Sequence, residues 1–442
     1  MKTKTMFCAL SLLAVTLACQ AQAEARNYLP YKTTAVRLAD SAQVIVSARL
    51  ERVESVLTAA GNRDAAVHKR INDGSWQDGE DGVRREAVLR VNEVLKGSGI
   101  AAGGELRFVS MRQLQLTAYD ADLREGDALY FLTARAEDSR LAVLNDERGA
   151  ISGPDIGGSI NTVVDFVRGY LETGRAGSLD RMLDAIDLGG GRLSVDACIE
   201  LSWNHEDYAA AMTEERKQRL LSLARLSKPA SAERNELITA VGRHQPEGAF
   251  AALAEIMLGD ATWSTTSLAS MALETLDRQA VIGLLLDEWQ TAGNDATRMV
   301  IVRSLGLIRP KADHDGAELR TRTLDLVGSL LVAGTNKDLL REALIASRDL
   351  RAEDAHVAAL KKLLDEREGN GLSDAEVKGA VIALAAARKI APSASGPNGE
   401  AVLARQYLLD LAKADPVLKQ VVEAAMTFPY TTLIVGADGL GH

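Results

Sequence analysis

The chain has 442 residues, of which 47% are hydrophobic, 25% charged and 4% aromatic, with a formal net charge of −10. That composition excludes wholesale disorder, and the length exceeds what one core organises, so two or three domains are expected. Lys and Arg are scattered rather than gathered into a stripe and rings are few, which disfavours nucleic acid, a base-stacking groove and an anionic membrane surface as partners.

The first 23 residues have the grammar of a secretory signal. Lys2 and Lys4 precede an apolar stretch from Met6 to Ala18, and Ala21-Gln22-Ala23 places small residues where signal peptidase reads them. The stretch is shorter than the roughly 20 residues a membrane span needs. Cleavage after Ala23 and a periplasmic location are expected. The alternative is a lipid anchor at Cys19, where Leu17-Ala18-Cys19 has the form of a lipobox except for Thr16 in place of leucine. Cys8 and Cys19 leave with the signal, so Cys198 stands alone and no internal disulfide is expected. The apolar setting Val195-Asp196-Ala197-Cys198-Ile199 suits a buried, inert thiol.

From Leu38 to Ile151 apolar residues alternate as in half-buried strands. Val44, Val46, Ala48 and Leu50 share one face, followed by Ala87, Leu89 and Val91, then Leu106 and Phe108, then Ala128, Tyr130 and Leu132, and finally Leu141 and Val143. Short strands separated by Gly- and Asp-bearing turns predict a small closed or nearly closed β-barrel over residues 36–153, rather than a parallel sheet. A polar insertion, 58–83, interrupts it. Its core, Asn72-Asp73-Gly74-Ser75-Trp76-Gln77-Asp78-Gly79-Glu80-Asp81-Gly82, is either a solvated hairpin tip or a calcium loop, although its spacing departs from the EF-hand pattern. Trp76 is a candidate contact anchor.

The order Ala39-Asp40-Ser41-Ala42-Gln43-Val44-Ile45-Val46-Ser47-Ala48-Arg49-Leu50, then Val91-Asn92-Glu93-Val94-Leu95-Lys96-Gly97, then Arg124-Glu125-Gly126-Asp127-Ala128-Leu129-Tyr130-Phe131-Leu132 resembles a five-stranded domain of exported bacterial proteins. That domain is similar to the netrin-like and tissue-inhibitor barrels of the OB type. The resemblance covers Ala39 to Gly153. It lacks the inhibitor family's cysteines, so it implies the fold and not metalloprotease inhibition.

After Ser159 the period becomes 3.6. Val163, Phe166, Val167, Tyr170 and Leu171 form the first helical stripe, and residues 159–230 are expected to be a helical cap or connector. Over 231–428 the helices fall in pairs, separated by Pro246, Gly259, Gly293, Pro310, Gly334, Gly369 and the Pro392–Gly399 stretch. Leu237–Gly242 precedes Phe250–Leu258, Leu268–Leu273 precedes Ala280–Trp289, and Val302–Leu307 precedes Leu324–Val332. Leu344–Ser347 precedes Val357–Leu364, and Val381–Leu384 precedes Val402–Leu411. This irregular pairing, at roughly 31 to 42 residues, resembles HEAT-like two-helix repeats, with a plain helical bundle as the alternative. The fold class is therefore α+β: an OB/netrin-like barrel followed by an α-solenoid. The tail 429–442, containing Thr432-Leu433-Ile434-Val435-Gly436, reads as an extended segment.

No catalytic set is evident. His68, His205, His244, His314, His356 and His442 stand apart with no H-x-x-x-H pair. Asp313-His314-Asp315 and His205-Glu206-Asp207 read as polar boundary segments rather than metal ligands. Gly189-Gly190-Gly191 reads as a hinge before a helix, without the preceding strand a nucleotide loop needs. There is no Gly-x-Ser-x-Gly elbow, Walker loop or Cys-x-x-Cys. No catalytic or cofactor-binding residue and no cofactor is assigned, and metal binding is left open. The expected function is non-catalytic protein binding or scaffolding in the envelope, with another envelope or secreted protein as partner. The alternatives are an inhibitor or immunity factor against a basic toxin or hydrolase, reached by electrostatic steering, and an enzyme with a site between the two halves.

Overall fold

A computed structural model describes residues 33–57, 83–110, 126–134, 140–144, 149–351, 354–369, 371–387 and 400–427. The chain divides into two compact units, Met1–Arg216 and Lys217–His442.

The first unit opens with α1 (Ala35–Ser41), capped by Thr34, whose side chain accepts from the Arg37 N–H. Six strands follow: β1 (Val44–Leu57), β2 (Val83–Lys96), β3 (Glu105–Ser110), β4 (Asp127–Ala134), β5 (Leu141–Val143) and β6 (Ala150–Ser152). β1 pairs antiparallel with β2, from Ile45↔Lys96 to Leu57↔Val83, and with β4, from Val44↔Leu132 to Arg49↔Asp127. β2 pairs with β3, and β4 with both β5 and β6, all antiparallel. The alternating residues meet as expected: Val44, Val46 and Ala48 pack with Ala87, Leu89, Val91, Phe108, Tyr130, Leu132 and Val143.

Closure of the barrel expected over 36–153 is corrected. β3 and β5 touch at one parallel pair, Val109↔Ala142, where closure needs a continuous ladder. The result is a six-stranded, mainly antiparallel sheet that is not closed into a barrel. Its second face is also covered. Ile45, Val88, Leu129, Phe131 and Ile151 are buried there, and α1 and α2 (Ile160–Gly177) pack on β4. Burial on both faces explains why Ala128-Leu129-Tyr130-Phe131-Leu132 is a continuous apolar run rather than an alternating one.

Helices α3 (Leu179–Leu188) and α4 (Arg192–Trp203) complete this unit with two 3₁₀ turns, His205–Asp207 and Ala209–Ala211. Gly189-Gly190-Gly191 directly precedes α4, and Gly191 permits a close backbone approach. A Cβ on Gly191 would lie 2.6 Å from the Ile156 carbonyl, in the single helical turn Gly153–Ile156.

α5 (Glu214–Leu226) contains the division between the units. The second unit continues with α6 (Ala232–His244), α7 (Ala249–Gly259), α8 (Trp263–Thr291), α9 (Asp295–Ile308), α10 (Ala317–Leu330), α11 (Lys337–Asp349), α12 (Asp354–Asp365), α13 (Asp374–Ala387), α14 (Glu400–Ala414) and α15 (Pro416–Thr427). α8 is two helical arms joined at Asp277, whose backbone is extended (φ −158°, ψ 99°) and whose carboxylate accepts from the Ala280 N–H at 2.9 Å. That side chain caps the second arm much as a separate helix is capped.

Contacts order these helices into two rows. α6, the first arm of α8, α9, α11, α13 and α15 touch in succession. The second row comprises α7, the second arm of α8, α10, α12 and α14, each beside its first-row neighbour; α10, α12 and α14 also touch in succession. Small residues set the first-row spacing: a Cβ on Gly242 would lie 2.7 Å from Ala272 Cβ, and one on Gly306 2.8 Å from Ala346 Cα. Ser270 and Ser304 bond across α8 and α9 at 2.9 Å.

α6 and α9 end alike, on a left-handed residue followed by proline. Gln245 (φ 50°) donates its N–H to Val241 O, and Arg309 (φ 56°) donates its N–H to Leu305 O. A non-glycine residue there is strained by about 1 kcal/mol. Gln245 is exposed, so Gln245→Gly sacrifices no packing. It should raise stability in urea denaturation by about 0.5 kcal/mol, the strain relieved being partly offset by glycine's larger unfolded-state entropy.

Candidate functional site

In the first unit a polar cluster forms around the N-terminus of α1. The Thr34 hydroxyl accepts from Arg37 N–H at 3.2 Å and donates to Glu200 on α4. Glu200 is fully buried, accepts from the Tyr208 hydroxyl at 2.9 Å, and has Arg37 Nε 3.6 Å away. One turn earlier, buried Asp196 accepts from Ala35 N–H at 2.9 Å and lies 3.5 Å from Arg192 Nε. Nearer the surface, Arg37 and Arg175 both pair with Asp207, while Arg175 and the Tyr170 hydroxyl each donate to Asp40 at 2.5 Å.

Burial raises the Glu200 carboxyl above the ordinary carboxylate range, outweighing the donors Thr34 and Tyr208 and the charge of Arg37. Burial and the neighbouring Glu200 likewise raise the Tyr208 hydroxyl. A buried acid beside two hydroxyls has the ingredients of general acid chemistry. Here, however, both carboxylate oxygens accept internal hydrogen bonds, and the arrangement fixes how the chain enters α1.

The folded state therefore holds the Glu200 proton more tightly than the unfolded state does, so its stabilising contribution is present at low pH and is lost as pH rises through the raised value. Glu200→Gln keeps an acceptor and removes this titration. Denaturation midpoints of the two chains should converge near pH 4 and separate in favour of the variant by pH 8. A separation independent of pH would contradict the assignment.

In the second unit, buried His356 contacts Ser347 Oγ through Nδ1 at 3.0 Å and Leu324 O through Nε2 at 2.7 Å. The carbonyl requires a proton on Nε2, which leaves Nδ1 to accept from the serine hydroxyl. The pair has the spacing of a nucleophile and its base, but both ring nitrogens are committed and link α10, α11 and α12.

Asp313-His314-Asp315 does not converge on a common point. Buried Asp315 accepts from Arg278 Nε and the Lys311 N–H, each at 2.7 Å, while Asp313 and His314 are exposed. Arg278 also donates to Ile308 O at 2.7 Å and Arg309 O at 3.0 Å, closing the C-terminus of α9. His205-Glu206-Asp207 forms a 3₁₀ turn and contributes Asp207 to the ion cluster. Cys198 is fully buried in α4. Among the described residues no three His, Cys, Asp or Glu side chains gather as metal ligands, and no helix is long and apolar enough to cross a membrane. The signal region, the acidic segment with His68 and Trp76, and the tail with His442 lie outside the described residues.

A surface groove of about 730 Å³ lies between α14 and α15. Leu409, Pro416, Val422 and Met426 give it apolar surface, and Lys413, Lys419 and Glu423 bring charge to it. Sequence periodicity did not mark it, because a helical stripe identifies an apolar face without showing whether a neighbour covers it. No family model, curated protein or solved structure matches the chain.

Proposed function

We propose that this chain is an exported, non-catalytic protein-binding or scaffolding protein whose second unit stacks its helix pairs as a HEAT-like solenoid. The observation that carries this reading is the two-row succession from α6 to α15, in which each first-row helix touches the next. Such stacking creates a surface far longer than any one helix, the basis on which repeat arrays bind other proteins. Trp263 (45% exposed) and Met271 (61% exposed), both on the first arm of α8, supply aromatic and adaptable contact groups.

The test is site-specific photocrosslinking in cells producing the full chain. Probes at Trp263 and Met271 should capture one saturable partner, competed by unmodified chain, whereas a probe at exposed Leu188 in the first unit should not. Equal, non-saturable labelling from all three positions would refute the proposal.

A further inference from the structure

The methionines among the described residues hold their sulfurs in different surroundings. Met182, Met212 and Met257 are buried, Met299 and Met426 are half-buried, and Met271 is 61% exposed. Met257 on α7 is shielded chemically as well as sterically, because the Ser304 hydroxyl of α9 donates to its sulfur at 3.4 Å and engages a lone pair that an oxidant would need. Met271 has the opposite setting. On the first arm of α8 it belongs to the outward stripe Ser264, Leu268, Met271 and Thr275, at i, i+4, i+7 and i+11, while Thr266, Ala269, Ser270 and Leu273 are buried on the inward side.

We propose that Met271 is a site of reversible sulfoxidation by hydrogen peroxide, and that the sulfoxide releases a partner held on the first-row face. The release rests on the binding function proposed above. In the forward step a sulfur lone pair attacks one peroxide oxygen. The O–O bond breaks, an S–O bond forms, sulfur gives up two electrons, and the other oxygen leaves as water. In the return step two thiols of a sulfoxide reductase are oxidised to a disulfide, and the sulfoxide oxygen leaves as water. Exposure gives the oxidant access, and little packing depends on the thioether, so the fold tolerates the product. Beside half-buried Leu268 the same product puts a strong dipole where an apolar contact group stood. Burying that dipole under a partner without a hydrogen-bond donor costs affinity.

The full chain, with the photocrosslinking probe at Trp263, would be treated with hydrogen peroxide and sampled over time, with oxidation read at each methionine by peptide mass spectrometry. Met271 should convert roughly tenfold or more faster than Met182, Met212 and Met257, with an unchanged melting curve. Capture through Trp263 should fall about tenfold in step with the Met271 sulfoxide, and should return after treatment with sulfoxide reductase and dithiothreitol. In the Met271→Leu chain, capture before and after peroxide should be equal, whatever its starting yield.

Conversion of the buried methionines at the same rate, or a melting curve that falls as Met271 is oxidised, would overturn the inference. Loss of capture in the peroxide-treated Met271→Leu chain would place the sensitive group elsewhere and overturn it too. Saturable capture that persists at full Met271 conversion would overturn this inference and leave the proposed function standing. Absence of saturable capture from the untreated chain would refute the proposed function and the release with it, while the mapping still decides whether Met271 is the oxidised site.

Discussion

Replacing Arg278 with alanine is expected to lower the stability of the second unit by about 3 kcal/mol at pH 7. The guanidinium joins three segments, since it pairs with Asp315 and donates to the carbonyls of Ile308 and Arg309. Asp315 is only 3% exposed, so truncating its partner leaves a buried charge supported by the Lys311 N–H. Although burial opposes it, the Arg278 and Lys311 bonds hold the Asp315 carboxyl below its ordinary value. The stabilisation it provides is therefore present above the ordinary carboxylate range and lost as pH falls through the depressed value. The effect of Arg278→Ala should shrink as pH falls through the depressed value, below which Asp315 is protonated in both chains. Adding Asp315→Asn should recover part of the loss at pH 7, because the amide oxygen can still accept from Lys311. Chemical denaturation across pH decides this, and a loss that neither shrinks in acid nor responds to Asp315→Asn would exclude the buried pair as its cause.

Gly306→Val is the second large effect. Its Cβ would lie 2.8 Å from the Ala346 Cα and 3.0 Å from its Cβ, so backbone as well as side chain stands in the way. Separating α9 from α11 should cost about 3 kcal/mol, and roughly 10 °C in Tm. Gly306→Ala should also destabilise despite alanine's higher helix propensity. Ala346→Gly should rescue it only in part, since removing a Cβ leaves the Cα in place. Full rescue, measured by a double-mutant cycle, would show that the contact is between side chains alone.

The inward faces of the strands were legible because alternation reports which side chains share a side, and Val46, Leu89, Phe108 and Tyr130 all meet as their spacing indicates. Alternation does not report which strands are neighbours, so the single-pair ladder between β3 and β5 could not be read, and the expectation left both a closed and a nearly closed barrel open. α1 and β6, seven and three residues long, are too short to display a period. The helix pairs were visible through their stripes even within α8, where no glycine or proline marks the break and Asp277 supplies the cap. The sequence carries a further signal: Gly242-x-x-x-Pro246 recurs as Gly306-x-x-x-Pro310, a packing glycine followed by a helix stop at corresponding places in two first-row helices. The cluster around Glu200 could not have been found this way. Thr34 and Glu200 are 166 positions apart, and neither local pattern points to the other.

The junction at Asp277 also bears on how the chain withstands proteases. Its two helical arms share a single connecting residue, and the Asp277 side chain closes the cap over it. A protease must draw an extended stretch of several residues into its cleft, and this turn has no slack to give without melting both arms. Residues 263–291 should therefore persist as one fragment in a limited digest while longer inter-helix connections are cut, so a break in the helix doubles as a point that resists cleavage.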